Sequence, residues 1–159
     1  MQIDTTREAL YVACEMERGA VQLYERALLE LERLGHENDA VGDVLRAMLA
    51  DEKGHLKQFE EAYIPIDAET ERQLVLSAVA IGVLFDGGLA GIERAGYLDA
   101  AESILKFAEE AEAKAVTFYS SMADKSDNPQ VKRMLCRIAD EERTHEASLH
   151  AQRMALRAF

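Results

Sequence analysis

The sequence carries the same set of acidic, aromatic and imidazole side chains twice, in the same order. Each half has a glutamate with a tyrosine seven residues later, and then a Glu-x-x-His motif: Glu17, Tyr24, Glu52 and His55, then Glu112, Tyr119, Glu142 and His145. A single Glu-x-x-His is a weak signal in an acidic chain, because on a helix it often forms only a surface pair. Its repetition behind the same Glu and Tyr spacing indicates an internal duplication.

The spacing predicts that these side chains meet at one height of a helical bundle. Residues three apart on a helix share a face, so each Glu-x-x-His presents both side chains together. From Glu17 to Leu34 the chain rises about 26 Å, and from Asn38 to Glu52 it returns about 21 Å, which brings Glu52 to within about a turn of Glu17. The two arms of the second half are equal, at about 20 Å each. We therefore expect four carboxylates and two imidazoles to converge.

Such a cluster requires bound cations. Four buried carboxylates repel one another and lose their hydration, which is very costly unless positive charge lies among them. Carboxylates with imidazole suit iron or manganese. The prediction is a pair of iron ions, with manganese or a mixed pair using the same ligands. A metal pair of this kind can exchange two electrons, which suits the reduction of peroxide or the oxidation of ferrous ions by oxygen.

Capping residues divide the chain into four long helices. A capping box of Thr5 and Glu8 begins the first helix, from about Asp4 to Leu34, and Gly35 ends it. The other helix boundaries are marked by polar or turn residues: Asn38 or Asp39 before the second helix, Pro65 after it, Asp99 with Glu102 before the third, and Asn128 with Pro129 before the fourth.

The segment from Pro65 to Gly96 joins the two pairs of helices. It contains an uncharged apolar run, Leu74 to Phe85, which predicts one additional short helix covered by the bundle or by a second subunit. No alternating strand pattern is present. The sequence therefore predicts an all-α four-helix bundle in which a long crossover containing an additional short helix joins two antiparallel helical hairpins.

Composition excludes several classes of function. The formal net charge of −12 argues against nucleic acid and against anionic membrane surfaces as partners. The two cysteines cannot form a disulfide framework, and the first residues have no apolar stretch, so we expect a cytoplasmic protein without a secretory leader. The longest uncharged apolar run has twelve residues, too few for a membrane span of about 20.

These motifs resemble the ferritin-like di-iron family, and most closely its rubrerythrin branch. The resemblance covers nearly the whole chain, residues 1–159, as a single ferritin-like domain, and the crossover matches least. It implies ligand roles for six residues: Glu17 and Glu112 as terminal carboxylates, Glu52 and Glu142 as bridging carboxylates, and His55 and His145 as one nitrogen ligand per iron. Tyr24 and Tyr119 then resemble the tyrosines beside the family's metal site; the alternative is that they only fill the core.

Two departures from typical rubrerythrins stand out. The sequence has no paired Cys-x-x-Cys of a rubredoxin domain, so we expect a separate electron donor such as rubredoxin. Rubrerythrins also carry a further carboxylate three residues after the first one on the third helix, where this chain has Ala115. Glu109, three residues before Glu112, shares that face and is the candidate additional ligand. The resemblance also implies a homodimer.

The resemblance implies an oxidoreductase that reduces hydrogen peroxide, oxidises ferrous iron with oxygen, or does both. One alternative is an iron-handling protein without turnover. Another is a bacterioferritin-like ferroxidase or storage subunit, which is disfavoured because Lys53 stands where bacterioferritins place a haem-ligating methionine. The last is a helical interaction module whose acidic residues face solvent.

Overall fold

The computed structural model describes residues 5–35 and 40–158, and within them it has six α-helices and no strand. The four long helices are α1 (Thr6–Leu34), α2 (Ala40–Ala62), α5 (Ala101–Lys125) and α6 (Pro129–Arg157), and the crossover holds α3 (Ala68–Ala80) and α4 (Gly88–Arg94). α1 packs against α2 and α5 packs against α6, each pair as an antiparallel hairpin. The prediction of an all-α, ferritin-like bundle is confirmed.

Local hydrogen bonds explain where the long helices begin and end. The Glu8 backbone N–H donates to the Thr5 hydroxyl at 3.2 Å, and the Thr5 backbone N–H donates to the Glu8 carboxylate at 3.1 Å, which completes the predicted capping box. Gly35 ends α1 in the left-handed conformation, with φ of 79°, which glycine adopts without steric cost. Asn128 caps α6 and Pro129 occupies its first turn. The predicted caps Asn38 and Asp39 lie outside the described residues.

The predicted capping box at the start of α5 is wrong. The N-cap is Ala100, and no side chain caps the helix there. The Asp99 backbone N–H instead donates to the Gly96 carbonyl at 3.3 Å, which places Asp99 in the preceding turn. The Glu102 carboxylate accepts a hydrogen bond from Arg157 at 2.6 Å, so it is committed to the end of α6 rather than to its own helix terminus.

The crossover contains two helices where the sequence predicted one. Asp67 caps α3 by accepting a hydrogen bond from the Thr70 backbone N–H at 3.0 Å, and the helix ends at Ala80, in the middle of the apolar run. Gly82 and Gly87 then adopt φ of 74° and 76°, which an α-helix cannot contain. Leu74 to Phe85 is therefore partly helical and partly a turn that leads to α4.

Two apolar clusters fill the bundle, one toward each end. On all four long helices, the residues of the first cluster and those of the second lie on opposite sides of a short polar interval. On α1, for example, the first cluster ends at Cys14 and the second begins at Leu23, with Glu17 between them. The bundle thus has a buried polar layer between two apolar cores, and this layer positions the candidate site.

Candidate metal centre

Six ionisable side chains occupy the buried layer, and they are the six that the sequence predicted as metal ligands. Each is at most 7% exposed: Glu17 from α1, Glu52 and His55 from α2, Glu112 from α5, and Glu142 and His145 from α6. They form two overlapping groups whose ligand atoms lie within 4.8 Å of one another. One group is Glu17, Glu52, His55 and Glu142, and the other is Glu52, Glu112, Glu142 and His145. Glu52 and Glu142 belong to both groups.

The two histidines present the same ring nitrogen to the shared carboxylates. His55 Nδ1 lies 3.1 Å from Glu142 Oε1 and 3.5 Å from Glu52 Oε2. His145 Nδ1 lies 3.0 Å from Glu142 Oε2 and 3.1 Å from Glu52 Oε1. Each shared carboxylate therefore turns one oxygen toward each imidazole. This arrangement gives two equivalent positions for a cation, each with one nitrogen ligand.

The outward ring nitrogens are held by carboxylates that the sequence reasoning missed. His55 Nε2 lies 2.8 Å from Glu141 Oε2, and His145 Nε2 lies 3.2 Å from Asp51 Oδ2. A carboxylate on the outer nitrogen fixes the ring and keeps the inner nitrogen free to bind a metal. The signal was present in the sequence, because each Glu-x-x-His is preceded by an acid. Only the packing of α2 against α6 shows that each acid serves the other helix's histidine.

The two tyrosines cross between the hairpins. The Tyr24 hydroxyl, on α1, donates to Glu112 Oε1 on α5, and the Tyr119 hydroxyl, on α5, donates to Glu17 Oε1 on α1. Both rings are almost fully buried, and burial raises the pKa of both hydroxyls well above the usual range, so they remain donors. They lie directly behind the terminal carboxylates and hold them from the opposite hairpin.

Glu109, the candidate additional ligand, does not join the cluster. Its carboxylate accepts a hydrogen bond from Arg153 Nε at 2.7 Å and lies 2.9 Å from His150 Nδ1. The Arg153 guanidinium lowers the pKa of Glu109. The structure therefore does not bring Glu109 to the cluster, because a cation of the chain itself already neutralises its charge.

The hydrogen bonding of three buried atoms in the cluster indicates whether metal ions fit there. Glu52 Oε1, Glu142 Oε1 and His55 Nδ1 are buried and form no hydrogen bond of good geometry, although His55 Nδ1 and Glu142 Oε1 lie 3.1 Å apart. Buried polar atoms without a well-aligned hydrogen bond are rare in folded proteins. All three residues belong to the two ligand groups. These poorly satisfied atoms and the oxygen and nitrogen donor set fit a pair of iron or manganese ions.

Without metal, protons neutralise the cluster. Burial raises the pKa of Glu17 and Glu112 well above the usual range, and the nearby Glu52 and Glu142 carboxylates raise it further. Burial also opposes the ionisation of Glu52 and Glu142, but contacts with the two histidines lower the pKa of both.

For the two histidines, burial and the neighbouring carboxylates shift the pKa in opposite directions. Burial by itself lowers their pKa values, yet the adjacent Glu142 and Glu52 carboxylates raise them to about 10 for His55 and about 11 for His145. Two imidazolium ions then face two carboxylates, and burial favours the protonated, neutral forms of Glu17 and Glu112. With these protonation states the metal-free cluster is neutral, as four carboxylates around two divalent ions would be.

A cavity of about 540 Å³ adjoins the carboxylate side of the cluster. It lies between α1, α5 and the crossover, and the four glutamates of the cluster form part of its wall. Neither histidine of the cluster lines it. The site therefore has two distinct sides, one with imidazoles held by outer carboxylates and one with carboxylates facing the cavity.

Comparison with known proteins gives one family match. The family model described as Rubrerythrin matches residues 8–152. Neither the curated proteins nor the solved structures include a match to this chain. No helix in the described part of the chain is long and apolar enough to cross a membrane.

Proposed function

This chain belongs to the rubrerythrin family, and from that premise we propose that it is a di-iron oxidoreductase that reduces hydrogen peroxide to water. The observation that carries the proposal is the pair of buried ligand groups that share Glu52 and Glu142. Two iron ions held there would supply one electron each, which is what the two-electron reduction of peroxide to two water molecules consumes together with two protons.

The residues around such a centre have three roles: they bind the metal ions, orient the terminal carboxylates and hold the histidines. Glu52 and Glu142 face both cation positions, so they would bind both ions, while Glu17 and Glu112 would each bind one. The tyrosine hydroxyls of the opposite hairpin orient these terminal carboxylates. Asp51 and Glu141 hold His145 and His55 with Nδ1 directed inward, so the ligands are in position before the metal arrives.

The two sides of the centre suit different partners. The cavity gives a small oxidant a way to the carboxylate side. On the histidine side, Asp51 is 61% exposed and Glu141 is 40% exposed, so the outer carboxylates connect the imidazoles to the protein surface. We propose that electrons arrive on this side from a separate donor such as rubredoxin, and that the working form is a homodimer.

Iron binding is the first test. Anaerobic titration with Fe(II) should give two ions per chain for the wild type and none for a variant with Glu52→Ala and His55→Ala. Glu61→Ala is the matched control, because the Glu61 side chain is 67% exposed and pairs with Lys57 on its own helix. Binding of two ions by the double variant would contradict the metal site itself.

The reaction is the second test. The Fe(II)-loaded protein should be oxidised by one equivalent of hydrogen peroxide faster than by oxygen in stopped-flow absorbance measurements, and a chemical reductant should restore the ferrous form for further turnovers. Faster oxidation by oxygen would instead identify a ferroxidase. Failure to turn over with either oxidant, despite stoichiometric iron, would identify an iron-handling protein.

A further inference from the structure

We propose that the cavity beside the metal centre is a binding site for an uncharged, largely apolar organic molecule. This crossover cavity, the space between α1, α5, α3 and α4, has a volume of about 540 Å³. The inference goes beyond the proposed function, since binding of such a molecule needs the cavity and not the metal.

The crossover cavity is much larger than peroxide or oxygen requires. A water molecule occupies about 30 Å³ in the liquid, and an apolar protein cavity of about 150 Å³ is enough to hold benzene. The volume of about 540 Å³ lies within the range of about 300–1,000 Å³ that is typical of small-molecule sites. A space of this size beside a site for peroxide or oxygen is therefore suited to a larger occupant.

The walls of the crossover cavity are mainly apolar. Side chains of five elements contribute: Leu23 from α1, Val75 and Val79 from α3, Phe85 from the turn after it, Ile92 from α4 and Phe107 from α5. Small residues also line it, among them Ala20 and Ala115. Apolar walls stabilise an apolar occupant by about 25 cal/mol per Å² removed from water.

The charges around the crossover cavity favour an uncharged ligand. The metal centre on its inner wall is neutral overall, with or without two divalent ions, so the remaining charged residues of the lining set the field. These are the acids Glu15, Asp86 and Glu110 and the bases Arg18 and Lys114. An anion would therefore meet a net negative charge. A cation would lose its hydration among apolar side chains without a dedicated partner, because the inner carboxylates are committed to the tyrosines and the metal positions.

A pair of dyes with the same ring skeleton tests both the cavity and its charge preference. N-phenyl-1-naphthylamine is uncharged, and 8-anilinonaphthalene-1-sulfonate adds a sulfonate to the same rings; both emit more strongly in apolar surroundings. We expect the metal-free full-length protein to bind the uncharged dye at one molecule per chain, and to bind the sulfonate at least about tenfold more weakly, a difference of about 1.4 kcal/mol.

Filling the cavity with a larger side chain should weaken binding of the uncharged dye. Val79→Phe places a ring into the space from α3 and should weaken binding of the uncharged dye at least about tenfold. Val44→Phe is the matched control, because Val44 is also a half-buried helical valine but does not line the cavity. Val75→Phe provides a second filling variant, and circular dichroism confirms that each variant keeps its helical content.

Three results would overturn the proposal. They are no binding of the uncharged dye by the wild type, equal binding by the filling variants and the Val44→Phe control, and equal or tighter binding of the sulfonate. The same titration on a variant with His55→Ala and His145→Ala, whose side chains do not line the cavity, separates this inference from the proposed function. Dye binding that survives there while iron binding is lost supports the cavity site independently of the metal centre.

Discussion

Metal binding should release about four protons from each chain at pH 7. In the metal-free cluster we expect Glu17 and Glu112 to be protonated, because burial raises their pKa values, and His55 and His145 to carry an extra proton each, with pKa values of about 10 and 11. Glu52 and Glu142 are already ionised. A bound pair of divalent ions requires all four glutamates ionised and both imidazoles neutral, so about four protons must leave.

The sign of the pH dependence follows from this count. Protons compete with the metal for the same atoms, so raising the pH removes the competitor and strengthens metal binding. Below pH 10, both histidines retain protons in the metal-free protein, and the affinity should therefore still increase with pH between pH 7 and pH 9. A preformed cluster of ionised carboxylates and neutral imidazoles would show almost no such dependence.

Isothermal titration calorimetry measures the number of protons released on metal binding directly. Titration with Co(II), which oxygen does not oxidise readily, in buffers of different ionisation enthalpy gives the number of protons released per chain. Glu17→Gln carries no acidic proton, so its release should fall by about one, while the exposed control Glu61→Gln should match the wild type. Release of fewer than two protons by the wild type, or an affinity that does not change with pH, would refute the protonated metal-free cluster.

Three further predictions concern side chains around the centre. Asp51→Asn should weaken metal binding about 10–100-fold in competition titrations, whereas Asp140→Asn, at a side chain 74% exposed, should not. Tyr119→Phe removes the buried donor to a terminal carboxylate and should lower the free energy of unfolding of the metal-free protein by about 1–3 kcal/mol in urea, an effect that the half-exposed Tyr97→Phe should not reproduce. Phe59→Ala empties a fully buried position and should cost about 3–5 kcal/mol in the same assay; a loss below 1 kcal/mol would contradict the packing.

The internal duplication accounts for what could be predicted of the site from the sequence. Within each Glu-x-x-His the two side chains belong to one helix, and a three-residue step fixes their common face whatever the rest of the fold does. The caps at Thr5 and Asn128 depend on hydrogen bonds to the next few residues, so they too could be predicted.

The errors occurred where distant elements compete for the same groups. Glu102 was assigned to its own helix terminus, but Arg157, at the far end of the chain, takes its carboxylate. Glu109 was the candidate additional ligand because it shares a face of α5 with Glu112, but its carboxylate accepts a hydrogen bond from Arg153. In both cases a cation from α6 decides the outcome, and neither pairing follows from spacing along α5.

The sequence by itself determined which side chains can bind metal, which helix each belongs to and the order in which the helices follow. Those properties depend on helical periodicity and on short-range hydrogen bonds. The tertiary structure alone decided that Asp51 and Glu141 serve the histidine of the other helix, that the tyrosines cross between hairpins, and that the crossover leaves a cavity beside the carboxylates. These depend on how far each helix is rotated and shifted against its neighbours, which packing of the whole bundle sets.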